Sequence, residues 1–462
     1  MLKYLSLMIV LLTISLQVVL GATDKESSSD IVVCLDTKST LKPIYLISEI
    51  NINHTLDRQY QKNIDEILTF DFQNNGFTQI TNRNIDKEKL SQQESLQNTS
   101  LANDWKKNGI RYVLKINLEQ QNLTAKILDC HKKIITVFDP MALTGNISED
   151  RRRLHKLHDN IHQSISGDFG IASKKIVYSK RIRKNPQHSN KWVSEVWECD
   201  YDGHNNRQVT NLNGYIISPS YIPAARGYQS NEIMYISYET GQPKIFSSSL
   251  RNSHTNRISY LRGNQLMPTI SLQRDKIAFI SDVTGNPDLF LQSFNPEIGT
   301  IGKPKQIFAP IRGTQASPTF GPNGNRIAFV SNKDGSPKIY ILDISNTSPE
   351  RLKKIKPILI SRQNHQNTDP SWSSDGKKIA YSSLTNGTRQ IWIYDLETSK
   401  EEQITKGPGH KENPAWAADS LHLIFNSATP FSSELYIINL NQKQALQISA
   451  GEGEKRFPAW EL

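Results

Sequence analysis

Pro370-Ser-Trp-Ser-Ser-Asp-Gly-Lys-Lys-Ile-Ala-Tyr-Ser-Ser383, followed by Gln390-Ile-Trp-Ile-Tyr-Asp-Leu396, packs three short β-rich runs together, and a fourth follows at 402–405 to complete one unit. Residues 370–373 read as an aromatic opening strand. Asp375-Gly376 reads as a hairpin turn, where glycine accepts positive φ at no steric cost. Residues 379–383, 390–396 and 402–405 supply a second, third and fourth strand. The unit recurs on both sides. Pro318-Thr-Phe-Gly-Pro-Asn-Gly-Asn-Arg-Ile-Ala-Phe-Val-Ser331 repeats it nearly residue for residue. Further copies open at Pro219, Pro268 and Pro414, and a last opening strand at Pro458, so the prolines are spaced by 49, 50, 52, 44 and 44 residues. Units of about 40–50 residues with several short strands each are the mark of propeller blades.

The two ends of the repeat region complement each other. Residues 176–180, 195–200 and 207–210 read as second, third and fourth strands, with no proline-aromatic opening strand before them. Residues 458–462 read as an opening strand with nothing after it. Together they make one blade, closing a ring of six and removing the exposed edges an open sheet would leave. The expected organisation is a secretory signal over 1–22, a mobile arm over 23–41, an α/β domain over 42–166, and a six-bladed β-propeller over 167–462 closed by 458–462. In the first part, Lys3 and the apolar run 5–20 ending at Gly21 and Ala22 carry the signal reading. Apolar residues at helical spacing (Ile64, Ile67, Leu68 and Phe72; Leu154, Leu157, Ile161 and Ile165) alternate with strands to give the α/β reading.

Composition bounds the function. The 462 residues are 37% hydrophobic and 22% charged, with a net charge of +10, which describes a globular body. The basic residues form no long run and no nucleic-acid motif accompanies them. No stretch after the first 22 residues is apolar enough to cross a bilayer. Cys34, Cys130 and Cys199 fit no zinc spacing, and read as small buried side chains. His155, His158 and His162 raise a metal hypothesis, since the last two lie four apart, but the glutamate of the helical zinc motif is missing. Solvated histidines beside an apolar stripe are the expectation. Arg151, Arg152 and Arg153 read as a solvated face or a domain contact. No Gly-x-Ser-x-Gly elbow and no phosphate loop occur. The reading is therefore a binding protein with no catalytic residues, no metal and no cofactor.

These motifs resemble the TolB family over essentially the whole mature chain. Asp200-Tyr-Asp-Gly-His-Asn205 resembles a signature of the family's first blade, and Phe457-Pro-Ala-Trp460 its closing strand, although Glu461-Leu462 is a shorter tail than usual. Residues 105–117 resemble its helix–Gly–strand passage, and Ile31 to Asp36 followed by Lys42-Pro-Ile44 its arm and first strand. The resemblance implies a periplasmic monomer of the Tol–Pal system with two protein partners. TolA would be engaged by the arm, through Ile31, Val32, Val33, Cys34, Leu35 and Asp36. The lipoprotein Pal would be bound at the propeller mouth. There, the passage Asn367-Thr-Asp-Pro370 matches a family motif and nominates Thr368 and Asp369, while Asn264, Met267, Gln315, Asn413 and Phe457 occupy pre-strand positions whose identities the family does not fix. Two other readings stand beside this one: a propeller with an unrelated protein partner, and a polysaccharide lyase on a similar propeller. The lyase needs recurrent funnel histidines, and His188, His204, His254, His365, His410 and His422 share no repeat position.

Overall fold

The computed structural model describes residues 31–33, 41–50, 58–119, 121–183, 192–225, 228–251, 254–345, 348, 355–442 and 444–462. The signal region, and Cys34, Leu35 and Asp36 of the arm, lie outside them.

The first part of the chain folds around a five-stranded sheet. Its order is Thr78–Ile80, Lys42–Ile50, Tyr112–Glu119, Asn122–Asp129, Ile134–Ala142. Lys42–Ile50 runs parallel to both neighbours, and the later pairs are antiparallel. Strand alternation sends Ile44 and Leu114 to one face, against the helices Arg58–Asn74 and Ile147–Ser166. Tyr45 and Val113 go to the other, against Trp105 and Leu96. Each such aliphatic contributes about 1.5–3 kcal/mol by leaving water. The helix Ile147–Ser166 is fixed at both ends. Asn146 caps it by accepting from the Ser148 N–H, and Gly167 ends it at a φ of 87°.

The rest forms six four-stranded sheets. Blades two to six open with Ile216–Tyr221, Gln265–Ile270, Gln315–Phe320, Asn367–Trp372 and His410–Trp416. Blade one is composite. Its inner strand is Glu454–Trp460, which pairs antiparallel with Lys175–Arg183, placing Trp460 opposite Ile176 and Lys455 opposite Lys180. The second strands carry the Ile-Ala-Phe/Tyr core. Ile277, Ala278 and Phe279, like Ile379, Ala380 and Tyr381, are wholly buried, because each blade is covered by a neighbour on both faces.

Strands alternate in direction, so one face of the ring carries the turns after the inner strands and the other carries the loops that lead into them. The α/β domain sits on the first face, over blades one and six. Gly76 approaches so closely there that a Cβ would meet Leu421 at 2.5 Å, and its φ of 72° is also left-handed. Of the arm expected over 23–41, Ile31 to Val33 are seated rather than free. Val32 and Val33 pair with Lys406 and Thr405 after the outer strand of blade five, and Ile31 is buried in the core between blades five and six.

Candidate functional site

Midway along every inner strand, the register breaks at the residue before its proline. Those six residues, Ser218, Met267, Ser317, Asp369, Asn413 and Phe457, all have left-handed φ between 45° and 54°. The following proline has no N–H to lose from the ladder and disfavours the right-handed helical region for the residue ahead of it. A bulge there re-aims the side chain. Each such residue costs about 1–3 kcal/mol, which the closed ring must hold in place.

The bulge residues of neighbouring blades meet. The Ser317 N–H lies 3.1 Å from Met267 Sδ, and Ser317 Oγ donates to Asp369 Oδ1 at 3.2 Å. Met267 and Phe457 flank one apolar cluster with Ile217, Ile236 and Leu266. The wall beside the bulges has two characters. In blades two to four the facing pairs are Ile217–Ile236, Leu266–Ile280 and Ala316–Val330. In blades five, six and one they are Thr368–Ser382, Glu412–Asn426 and Arg456–Ser179. Arg389 reaches into the polar half, donating to Thr368 Oγ1 at 3.2 Å and lying 3.9 Å from Glu412. Burial raises the Asp369 carboxyl, against the Arg389 charge. Burial also raises Glu412, and the Asp369 charge adds to it.

The other nominated residues differ in their surroundings. Thr368 is buried beside Arg389. Gln315 is buried as a strut, its amide donating to Asp288 and its carbonyl accepting from Ser331. Asn264 is tied to Asp282 through both its N–H and its side-chain amide, at 2.7 Å each. Sequence reasoning did not single out Ser218 and Ser317, although each stands directly before its blade's proline.

The opposite face corrects one expectation. The three helix histidines are not solvated: His155, His158 and His162 are 1%, 1% and 7% exposed. The flank of the helix beside its apolar stripe is covered by the propeller, a contact the helix period cannot announce. His155 Nδ1 lies 2.8 Å from Asp71 Oδ2, and its Nε2 lies 3.4 Å from Asp202 of blade one, which also pairs with Arg151. Burial alone would lower His155, but Asp71 and Asp202 raise it to about 10. Burial opposes ionisation of Asp202, yet His155, His204 and Arg151 hold it well below the usual carboxylate range. Ligand atoms of His155, Asp200 and Asp202 all lie within 4.8 Å of one another, a metal-like grouping in which Arg151 and protonated His155 already supply positive charge. In blade six, His422 bridges Asp419 and the Asn74 carbonyl at 2.5 and 2.8 Å. Burial lowers His162 to about 4, with the neighbouring His158 adding to the effect. Cys130 and Cys199 are buried, as read from the sequence.

An α/β domain clamped by ion pairs onto one face of a closed six-bladed propeller, whose six inner strands each carry one strained bulge residue, defines a two-domain propeller protein. The family model described as "TolB beta propeller domain" matches residues 162–462. A TolB homolog from Protochlamydia amoebophila is 48% identical over 385 residues, covering 83% of this chain and 81% of the relative. One from Chlamydia caviae is 43% identical over 275 residues, 60% of this chain and 62% of its own. The crystal structure of TolB from Acinetobacter baumannii matches with a TM-score of 0.72 at 21% identity, covering 94% of this chain and 99% of that one, a likeness of fold. The chain belongs to the TolB family.

Proposed function

We propose that this chain is the periplasmic binding scaffold of a Tol–Pal system, with no catalytic role. Its propeller mouth takes the lipoprotein Pal, and its arm, Ile31 to Asp36, engages TolA. Through these contacts it supports outer-membrane integrity and envelope constriction at division. Residues 1–22 direct export, 23–41 form the arm, 42–166 the α/β domain and 167–462 the ring. Among the described residues no helix is long and apolar enough to cross a membrane, which suits attachment through partners.

The observation that carries this reading is the sixfold set of left-handed bulge residues midway along the inner strands. Six strained positions held by one ring form a preorganised concave surface, so a partner has little ordering to do on binding. Thr368, Asp369 and Asn413 offer hydrogen-bonding groups, and Met267 and Phe457 offer apolar contact.

A pull-down from periplasmic extract tests it. The wild-type chain recovers Pal, and Asp369→Ala recovers several-fold less. Failure of the wild type to recover any lipoprotein would falsify the reading. Undiminished recovery by the variant removes Asp369 from the surface.

A further inference from the structure

The core that receives the arm has a counterpart on the other side of the ring. Around Ile31 lie Ile391 and Ile404 of blade five, with Leu423 and Phe425 of blade six. Between blades two and three the same blade positions carry Ile245, Ile258, Ile277 and Phe279. The main chain leaving the outer strand is held the same way at both places. The Gly407 carbonyl accepts from the side chains of Gln390 and Lys411, and the Leu261 carbonyl accepts from the equivalent Lys244 and Gln265.

The two places differ in what fills them. At the first, Val32 and Val33 add a strand to Lys406 and Thr405, and the Ala445 N–H donates to the Ile31 carbonyl at 3.3 Å. At the second, the equivalent Ser259 and Tyr260 pair with no strand among the described residues. A cavity of about 750 Å³ opens beside them instead, with Ile258, Tyr260, Arg274, Phe294 and Ile298 in its wall. Its edge is built by departures from the repeat. Residues 222–225 and 228–231, between Ile216–Tyr221 and Glu232–Ser237, line one side, and the hairpin of Asp288–Asn295 with Gly299–Phe308 overhangs from blade three. Tyr228, Tyr260 and Ile298 on the lining are 76%, 77% and 71% exposed, so large apolar side chains there face water. The Nε of Arg274 is buried and has no acceptor.

We infer that this groove is a second strand-docking site, which takes an extended segment of a partner protein presenting an aliphatic side chain. The segment pairs with the main chain of Ser259 and Tyr260 as Val32 and Val33 pair with Thr405 and Lys406. Its aliphatic side chain lies against Ile258, Phe294 and Ile298. Main-chain pairing supplies affinity and the pocket supplies selectivity, which is the general mode of strand addition. The chain's own arm shows the kind of segment the matching groove accepts. The inference does not depend on what the mouth binds.

The test uses the full chain and a fluorescein-labelled peptide covering residues 29–35 with Cys34→Ser, followed by fluorescence polarisation. Binding is expected to be saturable at one site per chain. Tyr260→Pro, which removes an N–H and obstructs pairing, and Ile298→Glu, which charges an exposed wall residue, each weaken it about ten-fold or more. Lys406→Pro, in the arm's own groove, leaves it unchanged. Ile298→Glu should melt with the wild type, so loss of binding in that variant is not loss of fold. Two results overturn the inference. One is no saturable binding up to about 1 mM peptide. The other is binding abolished by Lys406→Pro but kept by both groove variants, which would mean the peptide exchanges with the arm.

Discussion

The two ends of the propeller use charge in opposite ways. Where the ring meets the α/β domain, buried Asp71, His155 and Asp202 and half-buried Arg151 answer one another. At the mouth, burial makes Asp369 and Glu412 harder to ionise than free carboxyls, with partial relief from Arg389 at Asp369 and from Arg456 and Arg389 at Glu412. A buried charge with a partner locks a structure, and one without enough partners is held ready at some cost. The same fold therefore has a face built to stay shut and, on the proposed function, a mouth built to receive.

Four experiments would break or sharpen that contrast, taken from the largest expected effect down. Deleting residues 458–462 strikes both ends at once, because the closing strand runs from Phe457 at the mouth to Trp460 and Glu461 at the domain side. Loss of buried Trp460 alone costs about 3–5 kcal/mol, and an opened edge adds to it. A melt unchanged by this deletion would rule out closure of the ring by this strand.

His155→Ala comes next. It leaves Asp71 and Asp202 buried without their shared cation, a loss of about 3–5 kcal/mol in chemical denaturation. A loss below about 1 kcal/mol would show the interface to be far more hydrated than its burial suggests.

Acidity separates the two ends by sign. His155, raised to about 10, contributes stability in full below its usual 6.5, and that contribution is lost as pH climbs toward 10. His162, lowered to about 4, contributes stability above 6.5 that is lost as pH falls toward 4. The interface is thus firmest near neutrality. The mouth carboxyls, raised by burial, become less costly as pH falls. Thermal melts between pH 4 and 10 should therefore show an acid limb that His162→Asn flattens. An acid limb unaltered in that variant would assign acid sensitivity elsewhere.

The smallest effect on stability is expected from Asp369→Asn. Removing a charge that burial disfavours should change the unfolding free energy by under about 1 kcal/mol, in the stabilising direction, while Pal recovery falls. A strongly destabilised variant would make Asp369 part of the lock rather than of the receiving face.

What the sequence made legible follows from what repeats. Each blade states its own strands, so the six-bladed ring could be counted from six prolines. The same prolines mark the bulges, which is why Met267, Asp369, Asn413 and Phe457 were within reach and why Ser218 and Ser317 could have been. Unrepeated features left weaker traces. The helix Ile85–Gln93 was not foreseen, because it buries no residue and so leaves no apolar period. Asn84, capping the Lys87 N–H, and Asp86 and Glu88 in its first turn specify it instead. The interface was illegible for another reason. His155 and Asp71 are 84 residues apart, and nothing in a helix period reveals that a second domain covers one flank.

Blade one draws its inner strand from Glu454–Trp460 and its other three from Lys175–Arg183, Trp192–Asp200 and Arg207–Gln208. During synthesis these three emerge long before the fourth. A nascent chain that stalls anywhere short of Trp460 keeps an open sheet edge, a ready target for chaperones and proteases. The seam thereby marks progress: only a polypeptide made through to the strand that returns to blade one can bury that edge.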